Sequence, residues 1–395
     1  MMKSVFFIDS KSRHGAEQYR FAFENSLFSA KDVEVLVKFR LSSFWGNILA
    51  WWKFRFRLRF VLKVRESLLS KDGGCIYYFF NSPENVKLIK NRMHAHVFLG
   101  HGESNKRASL HPLYRMYDYL LVAGPYAGER LKQYGLLNQV TLSERMLDIG
   151  GAGVANIGLE DLLITGNGEI DPESRALLYM PTWEGGLKEE NYSTLDEPLL
   201  GDFLAETAAK FSLDTVYIKP HPNTGNRIRQ QKKRLAGLIA KLNALGIKVV
   251  IPKKDIGLIP LLQRLKLRLR RWDSNPPTFL CAIVDVSAAE SMAAKSGIPS
   301  IVLMSSKGTS CAPPSYVALK GRSVIRLNGW SSMRDLATHV YRHTHGSYQR
   351  TYIDYFRDDE NDKFRRALIH IENRHTPQDN TLEVDPPMRN EATAM

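Results

Sequence analysis

Short apolar runs, each closed by a turn residue and followed by a helix-length stretch, recur along this chain, and that alternation constrains its fold more than any other feature. Met2–Asp9, Val33–Phe39, Cys75–Phe80, His96–Leu99 and Tyr119–Ala123 read as strands in the first half. Ala176–Met180, Thr215–Lys219, Lys248–Ile251, Cys281–Val286 and Ser300–Met304 read as strands in the second. Between them, Ala16–Phe28, Tyr126–Tyr134, Phe203–Phe211 and Arg229–Leu245 have helical character. Apolar strands that alternate with helices predict parallel, doubly covered sheets of the α/β type.

The chain has 395 residues, and single cores stop growing near ~250 residues, so two α/β domains are expected. The glycine-rich Asp148–Gly158 (DIGGAGVANIG) reads as an interdomain hinge; its spacing does not match a strand-to-helix GxGxxG dinucleotide loop. It separates residues 1–150 from residues 151–345. Residues 346–374 read as C-terminal helices, including Phe364–Ile371, and residues 375–395 as a disordered tail of low hydrophobicity.

A formal net charge of +14 calls for an anionic partner: nucleic acid, an acidic membrane surface or a phosphate-rich substrate. Cys75, Cys281 and Cys311 are widely spaced and form no CxxC or Cys/His cluster, so neither a disulfide framework nor a zinc site is indicated. The apolar stretch at Val5–Ile8 is too short for a secretory h-region, and Phe44–Ala50 is too short to span a bilayer. A cytoplasmic location is expected.

The chemistry-bearing residues gather where strands end. Phe98–Ser109 (FLGHGESNKRAS) leaves an apolar run, crosses Gly100 and Gly102 around His101, and then offers Ser104, Lys106 and Arg107. Lys219-Pro220-His221-Pro222 closes another strand, with Arg227 just beyond. The two prolines hold His221 in an extended setting suited to a phosphate oxygen. Pro181-Thr182-Trp183 ends a third strand. Ser287-Ala288-Ala289-Glu290 has the pattern of a capping box, which would open a helix whose free amides and Ser287 hydroxyl face an anion. In α/β proteins this edge of the sheet is where ligands bind. The plainer readings are a solvated loop around His101, a strand-terminating turn at His221 and a simple helix cap at Ser287.

Lys38–Arg65 stands apart. Trp45, Trp51, Trp52, Phe54, Phe56 and Phe60 interleave with Lys53, Arg55, Arg57, Arg59, Lys63 and Arg65, with no acid until Glu66. Such a segment suits the surface of an anionic bilayer. The alternation over Lys53–Phe60 would spread its charges around a helix, and the competing reading is a basic surface element packed on its domain.

Taken in order, HGESNK at 101–106, YDYLLVAGPYAGER at 117–130, YMPTWEGG at 179–186, NYSTL at 191–195, IKPHPNTGNR at 218–227 and IVDVSAAESMAAKSGIPSIV at 283–302 resemble the CDP-glycerol:poly(glycerophosphate) glycerophosphotransferase family of teichoic acid and capsule polymer synthesis. The resemblance implies a GT-B architecture with a cleft between two Rossmann-like domains, a CDP-activated polyol donor, a lipid-linked or glycan acceptor, attachment to the inner face of the membrane, and neither cofactor nor metal. It aligns His101 with the catalytic histidine, His221 with the donor-phosphate histidine, and Asp285-Val286-Ser287 with an Asp-Tyr-Ser-Ser segment whose second serine is Ala288 here.

The residues themselves suit phosphoryl transfer. An acceptor hydroxyl loses a proton as it attacks, and a neutral histidine with a pKa near ~6.5 takes it, the role assigned to His101. Lys106, Thr182, Lys219, His221 and Ser287 would supply charge and donors to the phosphates. One rival is a GT-B glycosyltransferase that draws on a nucleotide sugar and releases nucleoside diphosphate. The other, a nucleic-acid-binding protein, fits the charge but not the placement of the motifs at strand ends.

Overall fold

A computed structural model describes residues 4–10, 15–24, 27–100, 103–165, 175–185, 190–357 and 360–375. The first half runs β1 (Ser4–Ile8), α1 (Gly15–Glu24), β2 (Val33–Lys38), α2 (Leu41–Phe54), β3 (Arg57–Val61), β4 (Gly74–Tyr78), α3 (Asn85–Ile89), β5 (His94–Phe98), β6 (Tyr119–Val122), α4 (Pro125–Gln133), α5 (Gln139–Arg145) and β7 (Met146–Asp148). Its strands form one seven-stranded sheet in the order β3-β2-β1-β4-β5-β6-β7, and each pair is parallel. Both faces are covered: Phe6, Val35, Tyr77 and Val97 lie in one core, and Phe7, Leu36, Tyr78 and Phe98 in the other. Burial on both faces is why these strands read as continuous apolar runs.

The second half continues with β8 (Leu162–Ile164), β9 (Arg175–Met180), α6 (Leu200–Lys210), β10 (Thr215–Ile218), α7 (Gln230–Ala244), β11 (Lys248–Pro252), α8 (Leu261–Lys266), β12 (Arg270–Arg271), β13 (Thr278–Asp285), α9 (Ala289–Lys295), β14 (Ser300–Leu303), α10 (Pro314–Lys320), β15 (Val324–Ile325) and α11 (Met333–Thr344). Its eight strands are ordered β12-β8-β11-β10-β9-β13-β14-β15. β8 runs antiparallel to both β11 and β12, while β9, β10, β11, β13, β14 and β15 pair in parallel. From β9 the chain winds outward through β10 and β11, and from β13 it winds the other way, so the order reverses between β9 and β13. A reversal of this kind opens a crevice at the carboxyl ends of the two strands.

Two further helices, α12 (Ser347–Arg357) and α13 (Glu360–His375), close the described chain. α13 crosses back to the first sheet, where Phe364, Ala367 and Ile371 enter the core with Phe6 and Tyr119. The first globular unit is therefore completed by the last helix. Tyr352 and Phe356 of α12 pack with Ala123, Val154, Ala294 and Tyr316, which ties the two halves together.

Two expectations are corrected by this architecture. The Asp148–Gly158 stretch is no free hinge, because Gly150, Gly151 and Ala152 are buried in a tight turn and Lys295 Nζ donates to the carbonyls of Gly151 and Val154 at 3.0 and 2.9 Å. The Ser287–Glu290 capping box does not close. Ser287 Oγ accepts from Ala289 N at 3.1 Å, but the Glu290 carboxylate is drawn instead to Tyr316 Oη at 2.7 Å and to the buried ammonium of Lys320 at 3.3 Å. Lys53–Phe60 is neither wholly helix nor wholly strand, because Arg55 takes a left-handed conformation (φ 60°) that ends α2 and begins the edge strand β3. The alternating residues are the alternating faces of that strand. The 263–280 excursion holds the end of α8 and the short β12 at the sheet edge.

Candidate functional site

The site is built at the β9/β13 reversal and roofed by a loop of the first domain. β5 ends at Phe98, and Gly100 turns the chain with φ +68°, a conformation costly for any residue with a side chain. His101 and Gly102 lie outside the described residues. From Glu103 onward the loop is held by α4: Arg130 donates to the Glu103 carboxylate at 2.7 Å and to Asn105 Oδ1 at 2.9 Å. From the other side, Cys311 N and Cys311 Sγ donate to Asn105 O at 2.9 and 3.1 Å. The loop is thus clamped by both domains.

Lys106 crosses the domain boundary. Its Nζ donates to Thr182 Oγ1 at 2.5 Å and lies 5.6 Å from the ring centre of Tyr192, whose hydroxyl accepts from Arg107 N. Burial lowers the Lys106 ammonium to about 8, against the opposing attraction of Asp285 and Glu190. Ser104 turns inward on its own loop, accepting from Lys106 N at 3.3 Å.

Asp285, at the end of β13, is fully buried. Its Oδ2 accepts from Thr182 N at 2.8 Å and Thr194 N at 3.1 Å, and its Oδ1 from Thr194 Oγ1 at 2.5 Å. Burial pushes the carboxyl up to about 7, while these three hydrogen bonds and Lys106 pull it down. Asp285 therefore ties the loop after β9 to the loop that carries Thr194. It does not face the cleft.

His221 follows β10. Its Nδ1 accepts from Asn223 N at 3.1 Å, which leaves Nε2 as the protonated nitrogen of the neutral ring, and the ring stacks on Trp183 at 5.9 Å. Lys219 N donates to Tyr179 O, continuing the β10–β9 pairing up to the site. Arg227 has a different use from the phosphate grip expected of it. Its Nε donates to Gly185 O at 2.8 Å and an Nη to Glu184 O, so the guanidinium braces the loop after β9. Ser287 Oγ donates to Asp285 O at 3.2 Å besides accepting from Ala289 N, and the helix it precedes has only seven residues. Its hydroxyl is engaged by its own turn.

The structure thus brings Lys106, Thr182, Asp285 and Ser287 together, with Lys219, His221 and Arg227 on the adjoining strand end. Reasoning from sequence missed Glu184. Fully buried, its carboxylate accepts from Gly225 N at 3.0 Å, Arg227 N at 2.7 Å and Ile228 N at 2.7 Å, so it fixes the loop that carries His221 relative to Trp183. The available signal was an acid directly after a strand-ending Thr-Trp pair. Gly185 beside it has φ +73°, and a Cβ there would sit 2.5 Å from Glu190 O. Thr194, Glu103 and Arg130 were also missed, because their partners are distant in sequence: Thr194 lies 91 positions from Asp285, and Glu103 lies 27 from Arg130.

Two doubly wound sheets joined through a buried connector, with a final helix returning to the first domain, define a GT-B architecture. No protein-family model matches the chain, and no curated protein matches it. Solved structures do. The calicheamicin glycosyltransferase CalG4 is 13% identical, with 95% of this chain and 100% of that one covered and a TM-score of 0.50. The glycotransferase of kitacinnamycin is 12% identical over 95% and 100%, with a TM-score of 0.50. A Listeria monocytogenes protein named as a UDP-N-acetylglucosamine 2-epimerase is 12% identical over 96% and 98%, with a TM-score of 0.51.

Proposed function

We propose that the chain is a GT-B transferase that takes a group from a nucleoside-diphosphate-activated donor and passes it to an acceptor hydroxyl in the interdomain cleft. The observation that carries this reading is the Lys106–Thr182 contact at the β9/β13 reversal, where a cation of one domain meets a strand end of the other. Phosphate oxygens need fixed positive charge and hydrogen-bond donors placed in advance. Lys106, Thr182, Lys219 and the Nε2–H of His221 are the groups of the right chemistry there. His101, which follows Gly100 in the sequence, is the base for the acceptor hydroxyl.

Transfer of a sugar from a nucleotide sugar is the reading the solved structures support better, since two of those named above are glycosyltransferases. In that reaction the bond from the anomeric carbon to the diphosphate breaks and nucleoside diphosphate leaves. Transfer of a polyol phosphate from a CDP-activated donor to a teichoic-acid or capsule acceptor is a second reading, favoured by the order and spacing of the strand-end motifs. There the bridging P–O bond breaks and CMP leaves.

One experiment separates them. The purified chain is incubated with UDP-, GDP-, dTDP- and CDP-activated donors and bacterial membranes, and the nucleotide products are resolved chromatographically. Nucleoside diphosphate is expected from a sugar donor; CMP from CDP-glycerol or CDP-ribitol selects the second reading. Donor conversion without any acceptor, such as epimerisation of UDP-N-acetylglucosamine, would remove both.

A further inference from the structure

Helix α2 is turned inside out relative to an ordinary surface helix. The residues it buries are Ser43, Asn47 and Ala50, with Asn47 Oδ1 accepting from Tyr19 Oη at 2.7 Å. The residues it exposes are Leu41 (82%), Trp45 (71%), Leu49 (64%) and Trp52 (64%). At 3.6 residues per turn these four fall within an arc of about 80°, opposite the buried face. Leu62, just past the adjoining edge strand β3, is exposed as well. Single exposed apolar side chains need no explanation, but a contiguous stripe of two tryptophans and two leucines marks an interaction surface.

The charge around the stripe indicates what covers it. Arg55, Arg57, Lys63 and Arg65 are exposed beside it, and the sequence from Lys38 to Arg65 contains no acid. Arg55 lies 5.7 Å from the ring centres of both Trp51 and Trp52, so cation and ring share one surface. Four cations in the segment are already used: Lys38 pairs with Glu84 at 3.4 Å, Arg40 with Asp9 at 2.7 Å, Lys53 with Glu24 at 2.7 Å and Arg59 with Glu34 at 2.9 Å. A second copy of the chain would set this basic rim against its own like charges. Indole rings settle where one side is apolar and the other wet.

We infer that α2 is an interfacial helix that lies in the surface of an anionic bilayer, with Leu41, Trp45, Leu49 and Trp52 among the acyl chains and Arg55, Arg57, Lys63 and Arg65 at the lipid phosphates. The apolar stripe anchors and the cations select. This goes beyond the proposed reaction and stands without it. Of the basic residues in the segment, Arg59 stands outside this rim, since it faces Glu34 and donates to Leu68 O.

The test is co-sedimentation with vesicles of phosphatidylcholine alone and of phosphatidylcholine with phosphatidylglycerol. The wild-type chain binds the anionic vesicles with a blue shift of tryptophan emission. Trp45→Ser with Leu49→Ser and Trp52→Ser lowers the bound fraction by about tenfold or more and abolishes the shift, even at low salt. These positions are exposed, so circular dichroism remains that of the wild type. Binding by the triple variant equal to wild type, or failure of the wild type to bind anionic vesicles, overturns the inference. So does a wild-type dimer that the triple variant splits, which would give the face to self-association.

Discussion

The ammonium of Lys106, carried on the loop after β5, lies 2.5 Å from the hydroxyl of Thr182, on the loop after β9. Thr182 in turn donates its amide to Asp285 at the end of β13. A cation from the first domain is thereby referred, through one residue, to the point where the second sheet reverses its winding. A phosphate entering there would meet a cation already aimed and partly stripped of water, the condition under which charge stabilisation is strongest.

Lys106 should set the alkaline limit of donor use. Its ammonium is charged below about 8 and loses its proton above, so kcat/KM for the donor should fall as pH rises through that value. Lys106→Arg, which stays protonated, should remove this limb. Lys106→Ala should lower kcat/KM by about 10²-fold or more with unchanged circular dichroism. Initial rates across pH 6 to 10 check this, and a wild-type profile flat through pH 8 would take Lys106 out of phosphate binding.

The two histidines should separate in their effects. His101→Ala is expected to abolish turnover while leaving nucleotide binding intact, because the base acts on the acceptor. His221→Ala, which also removes the stack on Trp183, should weaken nucleotide binding. Calorimetric titration beside turnover measures both, and a near-normal rate in His101→Ala removes it from the mechanism.

Glu184 should prove to be a positioning residue. Glu184→Gln puts an amide donor among three backbone N–H groups, with a cost of about 2–3 kcal/mol to the loop. Hydrogen exchange should quicken at Gly225, Arg227 and Ile228, the amides it accepts from, and donor KM should rise. Unchanged exchange at these amides would show that the carboxylate does not hold the loop.

His96 makes stability depend on pH. It is fully buried in β5, its Nδ1 2.8 Å from Tyr78 Oη and its Nε2 2.8 Å from Asn91 O, and burial lowers it from its ordinary 6.5 to about 4. Between those values the unfolded chain binds the extra proton, so stability falls as pH drops through 6.5 and the loss is complete below about 4. The full contribution is of order 3 kcal/mol. Urea midpoints at pH 7 and pH 5 should differ more for the wild type than for His96→Gln; equal differences would exclude His96 as the cause.

The strand runs were legible because burial on both faces leaves a continuous apolar signature, as in Cys75–Phe80 and Cys281–Val286. Tyr352 and Phe356 stand four apart, the spacing of one helical face, and α12 buries both. The site was legible where chemistry sits next to a strand end: Lys106, Thr182, Lys219 and His221. It was illegible where a residue acts through a partner remote in sequence. Glu184 reaches Ile228 across 44 positions, and Cys311 reaches Asn105 across 206.

By itself, then, the sequence determined that this chain forms two mostly parallel α/β sheets with cations and histidines at the carboxyl ends of their strands. Local pattern is sufficient for that, since strand and helix periodicities and turn residues act over a few positions. Only the tertiary structure decided which of those groups face one another. Arg227 spends its guanidinium on the carbonyls of Glu184 and Gly185, Glu290 turns from its own helix to Lys320, and α2 buries Ser43 and Asn47 while Trp45 and Trp52 stay outside. Each outcome depends on what another part of the chain brings within a few ångströms, because burial makes an unpaired polar group costly and so decides its partner.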